Sequence, residues 1–170
     1  MKVVSKGVAM SFKDLSDGDW YLDVFRKKLI FGMVVKNTSH QRVSFVFSAF
    51  EDRAEPWIAE ESAGSNVLKL SDIELRPDIH SVYFGNPGIG DLVSADGKFF
   101  MRGVITSGFG GELTINLHTF AAEKIPSGAP CASFSRWSAG YVEDGQWITL
   151  FEYPQVVAED EDFEEDIDET

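Results

Sequence analysis

Three histidines, one cysteine and a few carboxylate pairs are the side chains in this chain suited to metal or covalent chemistry. A structural zinc site needs His and Cys ligands at short, repeated spacings. His40, His80 and His118 stand alone, and none shares a short motif with Cys131. Cys131 with His118 as base and a distant carboxylate is a formal nucleophilic trio. Pro130-Cys131-Ala132, however, opens no helix whose amides would activate a thiolate, so an inert buried thiol is expected. Thr106-Ser107-Gly108-Phe109-Gly110 has Gly and Ser in the wrong order for a nucleophile elbow. Glu51-Asp52 and Glu60-Glu61 lie on a polar excursion where adjacent carboxylates are solvated, which leaves no catalytic residue to name. No metal site and no cofactor are expected.

Two glycine-rich stretches, Gly85-Asn86-Pro87-Gly88-Ile89-Gly90 and Gly108-Phe109-Gly110-Gly111, invite a phosphate-binding reading. Neither continues into Lys-Ser or Lys-Thr or opens a helix, so their amides are not aimed at a phosphate and a plain turn is expected. Cationic chemistry gathers at Arg26-Lys27-Lys28, expected to lie near Lys36, His40 and Arg42 once the flanking runs pair. Beside Tyr21, Phe25 and Phe45, such a hairpin end could stack and hold a single nucleic-acid strand. A solvated turn that protects a sheet edge by its charge is the competing account.

The C-terminus, Glu159 to Thr170, holds nine acids and no base. Dense like charge is expected to keep it extended and disordered. Phe163 and Ile167 interrupt it at i, i+4 spacing, so an induced helix would present both to a partner groove. A small β domain followed by such a tail resembles the layout of bacterial and phage single-stranded-DNA-binding proteins. The resemblance covers architecture and tail composition; residues 1–150 carry no motif of that family.

The elements that must position these residues are strands. Asp17-Gly18, Asp96-Gly97 and Asp144-Gly145 each precede one polar residue and then an aromatic that begins an apolar run. Gly tolerates positive φ, Asp bonds its own backbone ahead, and aromatic and branched residues suit a pleated surface. Shared turn chemistry explains the recurrence better than a repeat. Period-two alternation predicts strands near 19–25, 29–36, 42–50 and 112–120, the first three as a meander, and the Asp-Gly turns that lead into apolar runs predict two more near 98–105 and 146–153. Shorter strands are expected at 67–70, 73–75 and 81–84, with an edge strand within residues 1–10. Ser11 is expected to cap one helical turn. Residues 51–66 read as a long acidic excursion with a short helix near Trp57, and 121–140 reads as loop.

These patterns predict an all-β fold, an antiparallel sandwich or partly open barrel with long loops, as one domain over 1–154 and an acidic tail over 155–170. The net charge of −13 is concentrated in the tail. Residues 1–158 hold 19 acids against 15 bases, without the basic excess of a phosphate-binding surface. One cysteine excludes an internal disulfide and fits a reducing compartment, and no run approaches the ~18 apolar residues of a membrane span. A cytoplasmic protein, or one assembled into a particle in a cytoplasm, is expected. The reading is a non-enzymatic interaction or structural protein that binds a protein partner through Trp57, Phe163 and Ile167. The alternative is a single-stranded nucleic-acid-binding barrel using Arg26, Lys27, Lys28 and Arg42, with the tail as competitor. A hydrolase built on Cys131 or on an Asp-Glu pair is a distant third.

Overall fold

Two of the three Asp-Gly pairs make two-residue hairpin turns with positive φ at both positions: Asp96 and Gly97 at 50° and 70°, Asp144 and Gly145 at 50° and 78°. That backbone matches the right-handed twist of paired strands and needs residues that tolerate the left-handed region. The computed structural model describes residues 7–25, 27–48, 54–59, 66–106 and 110–155. Its strands are β1 (Gly7–Ser11), β2 (Trp20–Phe25), β3 (Lys28–Lys36), β4 (Arg42–Val46), β5 (Trp57–Ala59), β6 (Asn66–Leu70), β7 (Glu74–Pro77) and β8 (Val82–Tyr83). There follow β9 (Leu92–Ala95), β10 (Lys98–Ile105), β11 (Glu112–Asn116), β12 (Ala121–Ala122), β13 (Cys131–Phe134), β14 (Trp137–Glu143) and β15 (Gln146–Tyr153). A 3-10 turn at Phe12–Asp14 follows Ser11, whose side chain makes no cap bond.

Twelve strands form one sheet, and β15, β14 and β7 form a second. The expected meander is present: β2, β3 and β4 pair in succession, with Trp20 opposite Met33 and Met33 opposite Phe45. From β3 the pairing runs one way through β4 and β5 to β10, and the other way through β12 and β11 to β10. The links through β5 and β12 are short and include parallel contacts, so this ring is not a regular barrel.

β3 is buried on both faces because it lies at the centre of the sheet. Phe31, Met33 and Val35 point to the larger core, while Ile30 and Val34 join Leu15, Tyr21, Val46 and Val67 on the other side. Leu29, which alternation puts on the same face as Phe31, is 60% exposed near the start of β3. Aromatic rings join the two sheets. Trp20 stacks on Phe31 and Phe47 at 5.1 and 5.2 Å, and Phe31 stacks on Phe151 of β15 at 5.4 Å. Phe47 meets Trp137 of β14 edge-on at 5.6 Å. Such offset and edge-on pairs add about 0.5–1.5 kcal/mol each beyond buried area.

Two expectations about loops are corrected. Trp57 is not helical: β5 is a strand held between β4 and β10, with Trp57 opposite Val46 and Val104. The stretch 121–140 is not loop throughout, since β12, β13 and the start of β14 lie in it. In both places pairing with distant strands overrides the local Pro and Gly signals.

Candidate interaction surfaces

Among the described residues, the two most exposed large apolar side chains, Phe84 and Ile79, lie where the twelve-stranded sheet ends. Asp78 Oδ1 accepts from the His80 amide at 2.9 Å and starts a single 3-10 turn, Ile79–Ser81. Ser81 Oγ bonds back to the Asp78 carbonyl at 2.8 Å and accepts from the Arg136 amide at 3.0 Å. The Asp78 amide donates to the Arg136 carbonyl at 2.9 Å. This segment is therefore bolted to the chain entering β14. It leads into β8, whose Val82 pairs with Phe134 of β13 on one side. Held in that frame, Ile79, Val82 and Phe84 are 72%, 38% and 81% exposed. A phenylalanine contributes about 1.5–3 kcal/mol when buried, so one held in water by a fixed backbone marks a surface suited to a partner.

The loop that follows is built for rigidity. Asp91 is buried, and its Oδ2 accepts from the Gly88 amide at 2.6 Å and from the Tyr83 hydroxyl. The Gly90 amide donates to the Arg102 carbonyl at 2.9 Å, and the Gly90 carbonyl accepts from Trp137 Nε1 at 2.8 Å. The amides of Gly88 and Gly90 are thus committed within the protein, and the loop is not a phosphate cradle. Of the second glycine-rich stretch, Gly108 and Phe109 lie outside the described residues.

A second feature occupies the outer face of the small sheet. Gly140 has no room for a side chain, since a Cβ there would meet the Ile148 carbonyl oxygen at 2.1 Å and Trp147 at 2.9 Å. The indole of Trp147 lies across it, and the Arg76 guanidinium sits 3.7 Å from the ring centroid. Arg76 and Arg136, with Asp78, Ser138, Trp147 and Glu152, line a cleft of about 570 Å³ whose wall ends at Pro154. A second recess, of about 400 Å³, is lined by Leu75, Phe99, Leu117, Phe120, Glu74 and His118.

Cys131 and His118 do not meet. Cys131 packs with Val93, Ala95 and Phe100, whereas His118 lies parallel to Phe99, whose ring is on the opposite face of β10. Among the described residues, no three of His, Cys, Asp and Glu come together as metal ligands. No helix among them is long and apolar enough to cross a membrane.

Among the described residues, the two ends of the expected cationic patch lie apart. Lys28 begins β3, while Arg42 lies opposite Lys36 at its other end, about 26 Å away at ~3.3 Å per residue. Arg42 instead donates to the Leu15 and Lys13 carbonyls and faces Asp17, tying the 3-10 turn to β4. Lys27 sits in the turn with φ of 64°, and Arg26 lies outside the described residues. Trp57 is half-buried and packs against the core containing Tyr21 and Val46. Phe163 and Ile167 lie outside the described residues. Sequence reasoning missed Ile79, Phe84, Arg76, Arg136 and Trp147. The Pro77 break next to an apolar Ile79–Phe84 run was the one local signal for the edge.

Compared with protein-family models, with curated proteins and with solved structures, the chain matches none.

Proposed function

We propose that this is a non-enzymatic interaction module that binds a protein partner through the apolar edge formed by Ile79, Val82 and Phe84. The observation that carries this reading is Phe84, an aromatic 81% exposed between Ser81, bonded to Asp78 and Arg136 on one side, and Gly88, bonded to Asp91 on the other. Rigid exposed aromatics give a partner contact area at low entropic cost, and aromatic residues are enriched at the centres of protein interfaces. The tail residues Phe163 and Ile167 would add a second contact, as their spacing suggests. Trp57 serves the fold instead.

The charge pattern favours protein over nucleic acid. Each described arginine faces a carboxylate: Arg42 Asp17, Arg76 Glu74, Arg102 Glu112 and Arg136 Asp78. Single-strand binders need a continuous cationic groove along their stacking platforms. One feature supports that second reading, the Arg76–Trp147 stack, which has the chemistry of such a platform.

A photo-crosslinking side chain at position 84 tests the proposal in cells making the protein. Discrete protein adducts are expected at 84, absent at the exposed Thr149 and lost with Ile79→Ser. Equal adducts at both positions, or submicromolar affinity for a single-stranded oligonucleotide near physiological salt, would overturn it.

A further inference from the structure

We infer that the cleft on the small sheet is the docking site of this chain's own acidic C-terminal segment, residues 156–170. The cleft presents two guanidinium groups on one face. Arg76 is flattened against Trp147, and Arg136 Nη2 lies 2.9 Å from Asp78 Oδ2. Their side chains are 47% and 58% exposed. Arginine has five N–H donors, so one carboxylate partner leaves donors for others, and stacking on an indole leaves the in-plane edge open. The Glu74 contact to Arg76 is long, at 3.6 Å.

The occupant is set by where the chain goes. Pro154 forms part of the cleft wall, and fifteen residues continue beyond Gln155 with nine acids and no base. Fully extended they span about 50 Å, far more than the width of the cleft. A tether this short gives an effective concentration in the millimolar range, so a weak, charge-driven contact is filled within one molecule. Glu152 and Asp78 also line the cleft. They offset the two arginines, which makes the contact weak and leaves it resting on the N–H donors that the guanidinium groups keep free.

The test uses the full chain and reads the Arg76 and Arg136 Nε–Hε and Trp147 indole signals by NMR. In the comparison protein, Glu159→Gln, Asp160→Asn, Glu161→Gln and Asp162→Asn remove four charges and leave the cleft untouched. A synthetic peptide of residues 156–170 should move all three signals of the neutralised protein toward their wild-type positions. It should leave the wild type unmoved at the same concentration. Arg76→Gln or Arg136→Gln in the neutralised protein should weaken the peptide about tenfold, and 0.5 M salt should do the same. The inference fails if both proteins take up the peptide equally, or if neither responds. It fails also if the arginine variants bind as before, or if dilution moves the wild-type signals, which would place the tail on a second copy.

Discussion

Asp91 is a buried carboxylate whose oxygen organises the loop 84–90 by accepting from Gly88 and Tyr83. Asp91→Ala should cost about 1–3 kcal/mol, because two donors lose a buried acceptor. Thermal unfolding would show this as a fall of roughly 2–10 °C in a domain of this size. An unchanged melting temperature would mean the loop is not held as described. Tyr153 donates to the Ile89 carbonyl at 3.0 Å, and burial first, then Asp91 and Glu55, pushes its pKa up to about 12. An unfolded tyrosine ionises near ~10. The folded state thus holds its proton longer, so this contribution is complete below pH 10 and drains away between about 10 and 12. Burial also raises Tyr21, and burial and Asp91 raise Tyr83, in the same direction. Stability measured from pH 8 to 12 should fall over that window, and Tyr153→Phe should make the fall shallower. An identical slope in the variant would contradict the assignment.

The β14–β15 hairpin shows how one element carries both fold and surface. Its Asp144-Gly145 turn sets the register, and a shift at Ala139/Gly140 leaves Leu150 of β15 as an extra residue without a partner position on β14. The inner residues Trp137, Ala139 and Phe151 complete the core, while the outer face carries Ser138, Trp147 and Glu152. Gly140→Ala would drive a methyl group into the Ile148 backbone, which cannot swing aside as a side chain could. A loss of about 1–3 kcal/mol is expected, with the Arg76–Trp147 stack disturbed. Gly85→Ala is the control, since its Cβ would meet only Tyr83 at 3.7 Å, an ordinary contact. Chemical denaturation should separate the two substitutions clearly; equal midpoints would show that β14 accommodates a side chain at 140.

At the scale of the molecule, the two sheets are joined by aromatic rings more than by backbone. Phe47 touches Trp20, Phe31, Phe45, Trp137 and Phe151, drawn from both sheets. Phe47→Ala should cost about 3–5 kcal/mol by opening a cavity at this junction. A cost below about 1 kcal/mol in denaturant unfolding would mean that the sheets are held by something else. Ending the chain at Gln155 removes no residue of the fifteen strands. The melting temperature should then move by less than about 4 °C, the scale of one weak docking contact. A larger fall would make the acidic segment part of the core.

Strand identity was set locally wherever alternation was long or the flanking turn was strong. The strands at 98–105 and 146–153 have the predicted limits because Asp-Gly leads into each and, after one polar residue, an aromatic begins an apolar-rich run. The β2–β4 meander was legible from its alternation. Other strands had no local mark. Leu92–Ala95 is short and buried, Trp57–Ala59 sits in an acidic stretch, and Cys131–Phe134 follows Pro126, Gly128 and Pro130. Each exists because a distant strand offers its backbone partners, and pairing energy of that kind leaves no periodic trace in the sequence. The surfaces were decided later still. Ile79 and Phe84 are apolar residues like any core residue until the bonds among Asp78, Ser81 and Arg136 hold them in water. Arg76 and Arg136 are far apart along the chain and line one cleft because β7 pairs with β14. Composition placed the acids at the C-terminus; only tertiary pairing built the cleft in which Arg76 and Arg136 stand together.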